Sequence, residues 1–372
     1  MQHLHRFGIL VASLALAHAA HAAGTVELPN TPDTGNTSAP SNWRFAPGQV
    51  FNGVAGALDG VARLSFTAKS DGLSYACSGS LLAGGAYVLT AAHCADDFTS
   101  MKVDFGWYGG VAQLGSRTVA TTDVWVNPNW TGDLDTGADI AIIKLSAPMT
   151  NIAGYKISTT NDVGKKHLVA GYGSTQQADV NADTNWNDRN YGHYGYNTFD
   201  VLSVDFNTTI YASDPVYGQA SYYRFGATYM VDFDRPGNAN YNVLQRAATK
   251  YGGNWTSDAG WGADEALIAG GDSGGGDFVW NGTEWILSGV HSWGWNNPCA
   301  SVSSGGLGLS GCTGLNSNPS SYGDLSGSTA TFSHVEWINS IVNPAAVPEP
   351  ESYALMLVGL GLVAGVVRRR RA

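Results

Sequence analysis

The sequence predicts an all-β protein built as a double β-barrel. Its 372 residues include 48 Gly, 12 Trp, 17 Tyr and 12 Phe, whereas charged residues make up only 13%. This composition is typical of a loop-rich, extracytoplasmic β protein rather than a helical one. Short runs of alternating or β-branched apolar residues recur from residue 61 onward, separated by Gly-rich turns. Many short strands joined by such turns fit a double β-barrel.

Individual strands follow from the hydrophobic pattern. Val61–Phe66 and Tyr87–Thr90 alternate between apolar and polar residues, which indicates strands with one buried face. Ile140–Leu145 is mostly apolar and β-branched, which predicts a fully buried strand. Asn281-Gly282 lies between two apolar runs and predicts a hairpin with a type I′ turn, because both turn positions need positive φ.

The first 22 residues predict a secretory signal peptide. A weakly basic start is followed by the apolar run Phe7–Ala17 and by the small-residue cleavage site Ala20-His21-Ala22. The alternative is a buried N-terminal helix. Residues 23–49 are rich in Pro, Gly, Ser, Thr and Asn without apolar periodicity, so we predict a linker or propeptide there.

The last residues, 343–372, predict a sorting tail. Val347-Pro348-Glu349-Pro350 precedes the uncharged stretch Tyr353–Val367 and the cluster Arg368–Arg371. The hydrophobic segment is shorter than the roughly 20 residues of a full membrane span. This arrangement resembles the PEP-CTERM signal of Gram-negative bacteria. The resemblance implies export to the envelope or outside, transient inner-membrane association and recognition by an exosortase; a plain C-terminal anchor is the alternative.

Composition and motifs exclude several other functions. The formal net charge of −11 argues against a nucleic-acid partner. No P-loop, dinucleotide fingerprint or Cys/His metal spacing is present in the sequence, so we predict no cofactor and no metal. Asp179–Asp183 and Asn185–Asp188 offer oxygen ligands that suit Ca²⁺. Their spacing does not match an EF-hand, however, and turns rich in Asn and Asp are common.

Three motifs indicate nucleophilic catalysis. They are Leu89-Thr90-Ala91-Ala92-His93-Cys94, Asp139 at the start of the apolar run, and Gly271-Asp272-Ser273-Gly274-Gly275. A serine hydroxyl is a weak nucleophile until an imidazole accepts its proton, and a buried carboxylate keeps that imidazole in the useful tautomer. We therefore predict His93 as the base, Asp139 as the orienting group and Ser273 as the nucleophile.

These motifs, in the order His, Asp, Ser, resemble those of the chymotrypsin/trypsin-like serine endopeptidases. Cys77–Leu82 precedes the His motif and Ser288–Gly294 follows the Ser motif, as in that family, and His334–Ile338 resembles its C-terminal helix. The resemblance implies a chymotrypsin-like double barrel over residues 50–342. It also implies that the chain carries an insertion within residues 175–262.

The resemblance further assigns individual residues. It implies an oxyanion hole formed by the N–H groups of Gly271 and Ser273, and a disulfide between Cys77 and Cys94, which leaves the other two cysteines to pair. The remaining residues that it assigns line the substrate site or form the second disulfide: Leu267, Ser292, Trp293, Gly294, Cys299 and Cys312.

Two features depart from the family pattern. In the family, the residue matching Asp272 pairs with a newly cut N-terminus, but the slot for that terminus reads Val50-Phe51-Asn52-Gly53 after Gln49, which argues against a trypsin-like cut. The position of the specificity-pocket floor falls on Leu267, and an apolar floor disfavours Lys and Arg. The alternative is that Leu267 is simply a core residue.

The sequence thus predicts an exported serine endopeptidase that hydrolyses peptide bonds through an acyl-enzyme. Two alternatives stay open: a non-catalytic cell-surface or matrix protein on the same fold, and an esterase on the same scaffold.

Overall fold

The computed structural model describes residues 26–27, 40–175, 188–312 and 320–343. The predicted signal peptide, the tail from residue 344 onward, Asp179–Asp183 and Asn185–Asn187 lie outside these residues. The chain divides into two compact units, Met1–Val335 and Glu336–Ala372. Within the described residues, no helix combines the length and the apolar character needed to cross a membrane.

Nineteen strands account for most of the regular structure in the described residues. In chain order they are β1 (Val26–Glu27), β2 (Arg44–Phe45), β3 (Val50–Phe51), β4 (Val54–Ala55), β5 (Val61–Thr67), β6 (Ser74–Leu81), β7 (Tyr87–Thr90), β8 (Ser100–Tyr108), β9 (Val111–Val119), β10 (Val124–Val126), β11 (Ala141–Lys144), β12 (Lys166–Gly171), β13 (Gly192–Thr198), β14 (Val201–Leu202), β15 (Thr228–Asp232), β16 (Leu267–Ile268), β17 (Gly276–Trp280), β18 (Trp285–Trp295) and β19 (Leu325–Ala330).

The strands form two large sheets. The first has the order β10-β11-β7-β6-β5-β8-β9 and the second has the order β14-β15-β19-β18-β17-β12-β13-β2; β1 pairs with β16 and β3 pairs with β4. Neighbouring strands in both large sheets run antiparallel, which allows short turns between most of them. The all-β prediction is confirmed, and the strands predicted at Val61, Tyr87 and Ile140 correspond to β5, β7 and β11.

Three α-helices are present in the described residues: α1 (Ser203–Ile210), α2 (Val243–Tyr251) and α3 (Val335–Val342). In α2 the Asn242 side chain accepts a hydrogen bond from the Gln245 N–H, and Gly252 ends the helix in the left-handed conformation. The predicted C-terminal helix is present as α3. Its first residue, Val335, belongs to the first compact unit, and the rest of the helix belongs to the second. The sequence did not predict α1 and α2.

The core of the second sheet is rich in aromatic residues. Phe199, Phe206 and Phe233 are fully buried and pack with Tyr229 and Tyr322 in one apolar cluster. Phe199 stacks on Tyr229, with ring centroids 4.0 Å apart. Replacing one such buried phenylalanine with alanine removes its transfer energy and leaves a cavity, at a cost of about 3–5 kcal/mol. This cluster provides a rigid support for the strands that carry the site.

Part of the predicted linker, residues 23–49, belongs to the folded domain, so that prediction is corrected. A 3₁₀ turn at Pro40–Trp43 leads into β2, which pairs with β13 in the second sheet. Trp43 and Phe45 are buried, and the Trp43 ring centroid lies 5.6 Å from that of Tyr194. The burial of these two aromatic side chains outweighs the turn-forming composition around them.

The hairpin at Asn281 forms, but its turn is not type I′. The loop from Asn281 to Glu284 has four residues, and the Asn281 side chain accepts hydrogen bonds from the N–H groups of Thr283 and Glu284. Positive φ is found at Gly282 but not at Asn281. The asparagine side chain thus stabilises a longer loop. Instead, Asn52 and Gly53 both adopt positive φ, of 49° and 80°, between β3 and β4.

Candidate active site

His93 and Asp139 form a hydrogen-bonded pair between the two sheets. His93 lies in the 3₁₀ turn Ala92–Cys94 directly after β7, and Asp139 lies just before β11, the neighbour of β7. The His93 Nδ1 atom is 2.8 Å from Asp139 Oδ2, and the His93 backbone N–H donates to Oδ1 at 3.0 Å. Asp139 is fully buried. The two bonds fix the imidazole plane and favour a proton on Nδ1.

A third donor reaches the same carboxylate. The Ser292 hydroxyl donates to Asp139 Oδ2 at 2.5 Å, and Thr329 Oγ1 donates to the Asp139 carbonyl oxygen at 3.0 Å. Both donors come from β18 and β19 of the second sheet, so both sheets hold this aspartate. The sequence assigned Ser292 to substrate binding; the structure gives its side chain a hydrogen bond to Asp139. No local motif signals this contact, because the two residues are distant in sequence.

The pKa of His93 is raised from its ordinary value of 6.5. Burial on its own lowers this pKa, but the charge of Asp139, its hydrogen bond and the charge of Asp96 together outweigh burial. The Asp139 carboxylate therefore stabilises the imidazolium form.

The Ser273 turn packs directly against the His93 segment. The Ser78 N–H donates to the Ser273 carbonyl at 2.8 Å, and the Gly274 N–H donates to the His291 carbonyl at 2.7 Å. Gly274 has φ of +80°, and a Cβ there would lie 2.0 Å from Thr90 Oγ1 and 2.8 Å from the Ala91 nitrogen. Only glycine allows this approach, which brings Ser273 beside the segment that leads to His93.

The second ring nitrogen of His93 is available for a ligand or a substrate. His93 Nε2 is buried and has no hydrogen-bond partner among the described residues. A buried nitrogen without a partner is costly in a purely structural histidine. With Nδ1–H bonded to Asp139, Nε2 carries the lone pair that can accept a proton.

The turn before Ser273 presents two backbone donors. Gly271 has φ of +102°, and its carbonyl accepts from the Ser78 hydroxyl at 3.0 Å. The Gly275 N–H donates to the Asp272 carbonyl at 2.7 Å and closes the turn. In the described part of the chain, no acceptor takes the N–H of Gly271 or of Ser273. Two such donors in a tight turn suit the stabilisation of an oxyanion.

Asp272 is buried and is held by backbone amides. The Gly173 N–H donates to Oδ1 at 3.1 Å and the Ala269 N–H donates to Oδ2 at 3.0 Å. Burial raises its pKa well above the ordinary value, although the Ala269 bond acts in the opposite direction. These contacts are made without an α-amine. The segment Val50–Gly53, where the resemblance would put a new N-terminus, forms a tight hairpin. The chain enters this hairpin from residues 40–49 of the folded domain.

The predicted specificity residues lie on β16 and β18. Leu267 is 1% exposed and belongs to the same apolar cluster as Val279 and Trp293. Trp293 packs over Gly327, where a Cβ would lie 2.3 Å from its indole ring. Gly294 pairs with Ser326 of β19. The burial of Leu267 suits both a pocket floor and a core residue, the two alternatives that the sequence left open.

The edge of β18 beyond His291 is open on one side. β17 pairs with β18 up to Val290, whereas β19 continues to Trp295. Past His291, no described residue pairs with the backbone of Ser292–Trp295 on the β17 side. An open strand edge beside the site can bind an extended peptide by adding a strand.

The four cysteines form two disulfides, Cys77–Cys94 and Cys299–Cys312. This is the pairing that the resemblance implied. The first bond joins β6 to the turn that carries His93, and so restricts the movement of that turn. The sulfurs of Cys77 and Cys94 lie close to His93, but they are bonded to each other and therefore provide no thiolate for a metal.

Comparisons with known proteins found two matching family models and similar solved structures. Residues 53–209 match the family model Trypsin, a segment that contains His93 and Asp139 and ends before Ser273, and residues 346–371 match the PEP-CTERM protein-sorting motif. One similar solved structure is titled HL collagenase, with 19% identity over 80% of this chain and 96% of that chain and a TM-score of 0.47. Another is the protease Anisep from Arthrobacter nicotinovorans, with 15% identity over 73% and 90% and a TM-score of 0.41.

The matched region, residues 53–209, is that of a trypsin-like serine protease. The predicted resemblance, chymotrypsin-like fold and enzyme class are confirmed. The chain contains a trypsin-like protease region and a PEP-CTERM tail, and this motif indicates export to the cell envelope or the extracellular space of a Gram-negative bacterium. The motif also implies processing by an exosortase.

Proposed function

We propose that this protein cleaves peptide bonds through a triad of Ser273, His93 and Asp139 and a covalent acyl-enzyme. The observation that carries the proposal is the half-buried His93, with Nδ1 bonded to Asp139 and the buried Nε2 without a partner among the described residues, next to the Ser273 turn. This arrangement supplies a base that is oriented on one side and available on the other.

In each half-reaction, His93 acts first as a base and then as an acid. Ser273 Oγ attacks the substrate carbonyl while His93 Nε2 takes the hydroxyl proton. The N–H groups of Gly271 and Ser273 stabilise the oxyanion. The imidazolium, stabilised by Asp139, protonates the leaving amine, which departs as the first product. Water then attacks the acyl-enzyme while His93 accepts one of its protons. The bond between the acyl carbon and Ser273 Oγ breaks, and His93 returns the proton to Oγ as the carboxylic acid product leaves.

Substrate binding would use β18 and the pocket near β16. An extended peptide would pair with the open edge at Ser292–Gly294, which places a carbonyl near Ser273. Leu267 would form the apolar floor that accepts the side chain before the scissile bond. Burying a Lys or Arg charge there without a partner is unfavourable, so apolar or small side chains would be preferred.

We further propose that the catalytic site does not depend on a new N-terminus at Val50. The Asp272 carboxylate already accepts two backbone N–H bonds, from Gly173 and Ala269, and these hold the turn that carries Ser273. The preceding residues pair with β13 of the second sheet through β2, and the chain continues from that strand into the β3–β4 hairpin.

The remaining parts of the chain serve export in this proposal. Residues 1–22 are a signal peptide, and residues 343–372 are a tail that associates transiently with the inner membrane before exosortase removes it. The protease domain extends from the described N-terminal segment to about residue 342, with the insertion within residues 175–262. We expect no nucleic-acid partner, because the net negative charge of the chain would repel the phosphate backbone.

Mapping cleavage sites tests the function and the specificity together. We expect internal cuts in casein, mostly after apolar or small residues, because the proposed floor is Leu267. The products are identified by mass spectrometry, and a fluorophosphonate that labels Ser273 serves as the control that must stop cleavage. Hydrolysis of esters without cleavage of protein would favour the esterase, and no turnover of either would favour a non-catalytic protein. A profile dominated by Lys and Arg would refute the role of Leu267.

We expect kcat/KM to rise with pH through the titration of His93. Only the neutral imidazole accepts the serine proton, so activity is low below the pKa of His93 and increases above it. Because Asp139 raises that pKa, the midpoint should lie above 6.5. Initial rates on a neutral peptide substrate between about pH 5 and 9 measure it, with a check that the protein stays folded at each pH. A flat profile would contradict His93 as the base.

A further inference from the structure

A buried histidine, His291, lies against the Ser273 turn. It belongs to β18, its side chain is fully buried, and its Nδ1 atom is 3.2 Å from the Asp272 carbonyl oxygen. Its backbone contacts the same turn, because the His291 N–H donates to the Gly275 carbonyl at 3.0 Å. A Cβ at Gly275 would lie 2.7 Å from His291 Nδ1. The imidazole ring thus packs directly against the turn, in space that a glycine leaves open.

The second ring nitrogen of His291 faces a buried carboxylate. His291 Nε2 is 2.9 Å from Asp277 Oδ1, and Asp277 is only 2% exposed. Burial alone would raise the pKa of Asp277, but its interactions with His291 and His167 outweigh burial, so the pKa is lowered. Asp277 is therefore ionised at neutral pH, and its oxygens can only accept hydrogen bonds.

His167 also contacts Asp277, but it does not supply the positive charge. Its Nε2 atom lies 3.4 Å from Asp277 Oδ1, and its ring stacks on Phe199 with centroids 3.9 Å apart. Burial lowers the pKa of His167 to about 4, so this ring is neutral at neutral pH. In the part of the chain that the structure describes, the ion pairs of Asp277 are with His167 and His291. His291 is therefore the group that can balance the carboxylate.

The two contacts of the His291 ring determine how many protons it carries. A peptide carbonyl and an ionised carboxylate both accept hydrogen bonds and cannot donate them. A neutral imidazole has one N–H and one lone pair, so it would direct a lone pair at one of the two oxygens. The contacts to Asp272 and Asp277 are satisfied together only by the imidazolium, which donates from both nitrogens.

The hydrogen bond from His291 acts on one of the two proposed oxyanion donors. The Asp272 carbonyl and the Ser273 N–H belong to the same peptide group. This group is planar and trans, so its C=O and N–H point in opposite directions. A donor that fixes the carbonyl therefore also fixes the direction of the N–H. A charged donor additionally polarises the peptide group and strengthens its N–H as a donor.

An irregularity in β18 directs two consecutive side chains at the site. The pairing of β18 with β19 shifts between His291 and Trp293, which leaves Ser292 without an opposite residue. In a regular strand, neighbouring side chains point to opposite faces, and a bulge changes the direction of one of them. His291 contacts the Ser273 turn, and Ser292 donates to Asp139. One short segment thus holds both the nucleophile turn and the aspartate.

On the basis of the proposed function, we propose that His291 is a positioning residue of the catalytic site. Its imidazolium, held by Asp277, orients and polarises the Ser273 N–H, which stabilises the oxyanion in the transition state. This contact acts on the transition state rather than on the bound substrate. Its loss should therefore lower kcat and leave KM nearly unchanged.

Two substitutions of His291 separate its two hydrogen bonds. In His291→Asn the side-chain NH₂ group takes the place of Nδ1 and can still donate to the Asp272 carbonyl. In His291→Gln the NH₂ group takes the place of Nε2 and reaches Asp277 instead. On a neutral peptide substrate, we expect His291→Gln to lose on the order of 10- to 100-fold in kcat at nearly constant KM, because an oxyanion donor is no longer held in place. His291→Asn should recover most of that rate. A merely structural histidine would lower the Tm in both variants without this difference in kcat.

His167→Gln is the matched control. It changes a buried histidine that contacts the same carboxylate, but among the described residues His167 has no hydrogen bond to the Ser273 turn. It should keep kcat, whatever its effect on the Tm. An active wild type whose His291→Gln variant keeps full kcat would overturn the role of His291 and leave the proposed function intact. A wild type without turnover would overturn both.

The wild-type protein itself provides the test if a variant of His291 does not fold. In the full chain labelled with ¹⁵N-histidine, one imidazole should carry two N–H protons at neutral pH. Its Nδ1 proton should show a nuclear Overhauser effect to the Gly275 N–H, because both groups donate to the Asp272 carbonyl. An imidazole next to Gly275 that carries a single proton would contradict the proposal.

Discussion

Ser273→Ala is expected to abolish cleavage of casein, with a loss in kcat on the order of 10⁴ to 10⁶. The hydroxyl is the only nucleophile in the proposed mechanism, and the neighbouring donors cannot form an acyl-enzyme without it. The residual rate would come from the oxyanion donors and from substrate binding. Single-turnover assays with a fluorogenic peptide measure the loss, and fluorophosphonate labelling should disappear in parallel.

The variant should fold like wild type. Ser273 contributes its carbonyl to the Ser78 N–H, and alanine keeps that backbone bond. Ser70→Ala, at an exposed serine outside the three proposed catalytic motifs, serves as the matched control and should keep full activity. Near wild-type turnover by Ser273→Ala, in a preparation shown free of contaminating protease, would disprove the mechanism.

The sequence predicts the parts of the site that local motifs encode. His93 and Ser273 each lie in a short segment whose neighbours have evident roles: Cys94 anchors the first turn, and Gly274 allows the close approach of the second. The strands around them were also predictable, because alternation of apolar residues is a local signal. The proposed roles of His93 and Ser273 can thus be predicted from a few contiguous residues.

The rest depends on contacts between distant segments. Helix α1 contains Val, Thr and Ile, which have low helix propensity, and it forms where Phe206 packs into the aromatic core. Helix α2 is flanked by the capping residues Asn242 and Gly252. Its apolar periodicity extends over only about two turns, however, which is too short to indicate a helix from the sequence. The burial of Trp43 and Phe45 could not be predicted, because the residues around them are typical of turns.

Asp139→Asn is expected to lower kcat/KM by on the order of 10⁴ while the protein stays folded. The Asp139 carboxylate accepts from three donors: the Nδ1–H and backbone N–H of His93, and the Ser292 hydroxyl. Asparagine has one acceptor oxygen, so its NH₂ group must face one of these sites. If it faces the imidazole, Nδ1 becomes the acceptor and the proton moves to Nε2, where it prevents His93 from acting as a base.

The pH profile separates this effect from a loss of folding. Without the charge of Asp139, only the charge of Asp96 still raises the pKa of His93 against the effect of burial, so the acid limb should move to lower pH. Asp135→Asn, the same change in the same loop without a contact to His93, should keep both the rate and the midpoint. Ser292→Ala, which removes one donor and leaves the carboxylate, should lose about 10- to 100-fold, the equivalent of one hydrogen bond to a charged group. An Asp139→Asn enzyme with an unchanged midpoint and only a small loss of rate would show that Asp139 does not orient the base.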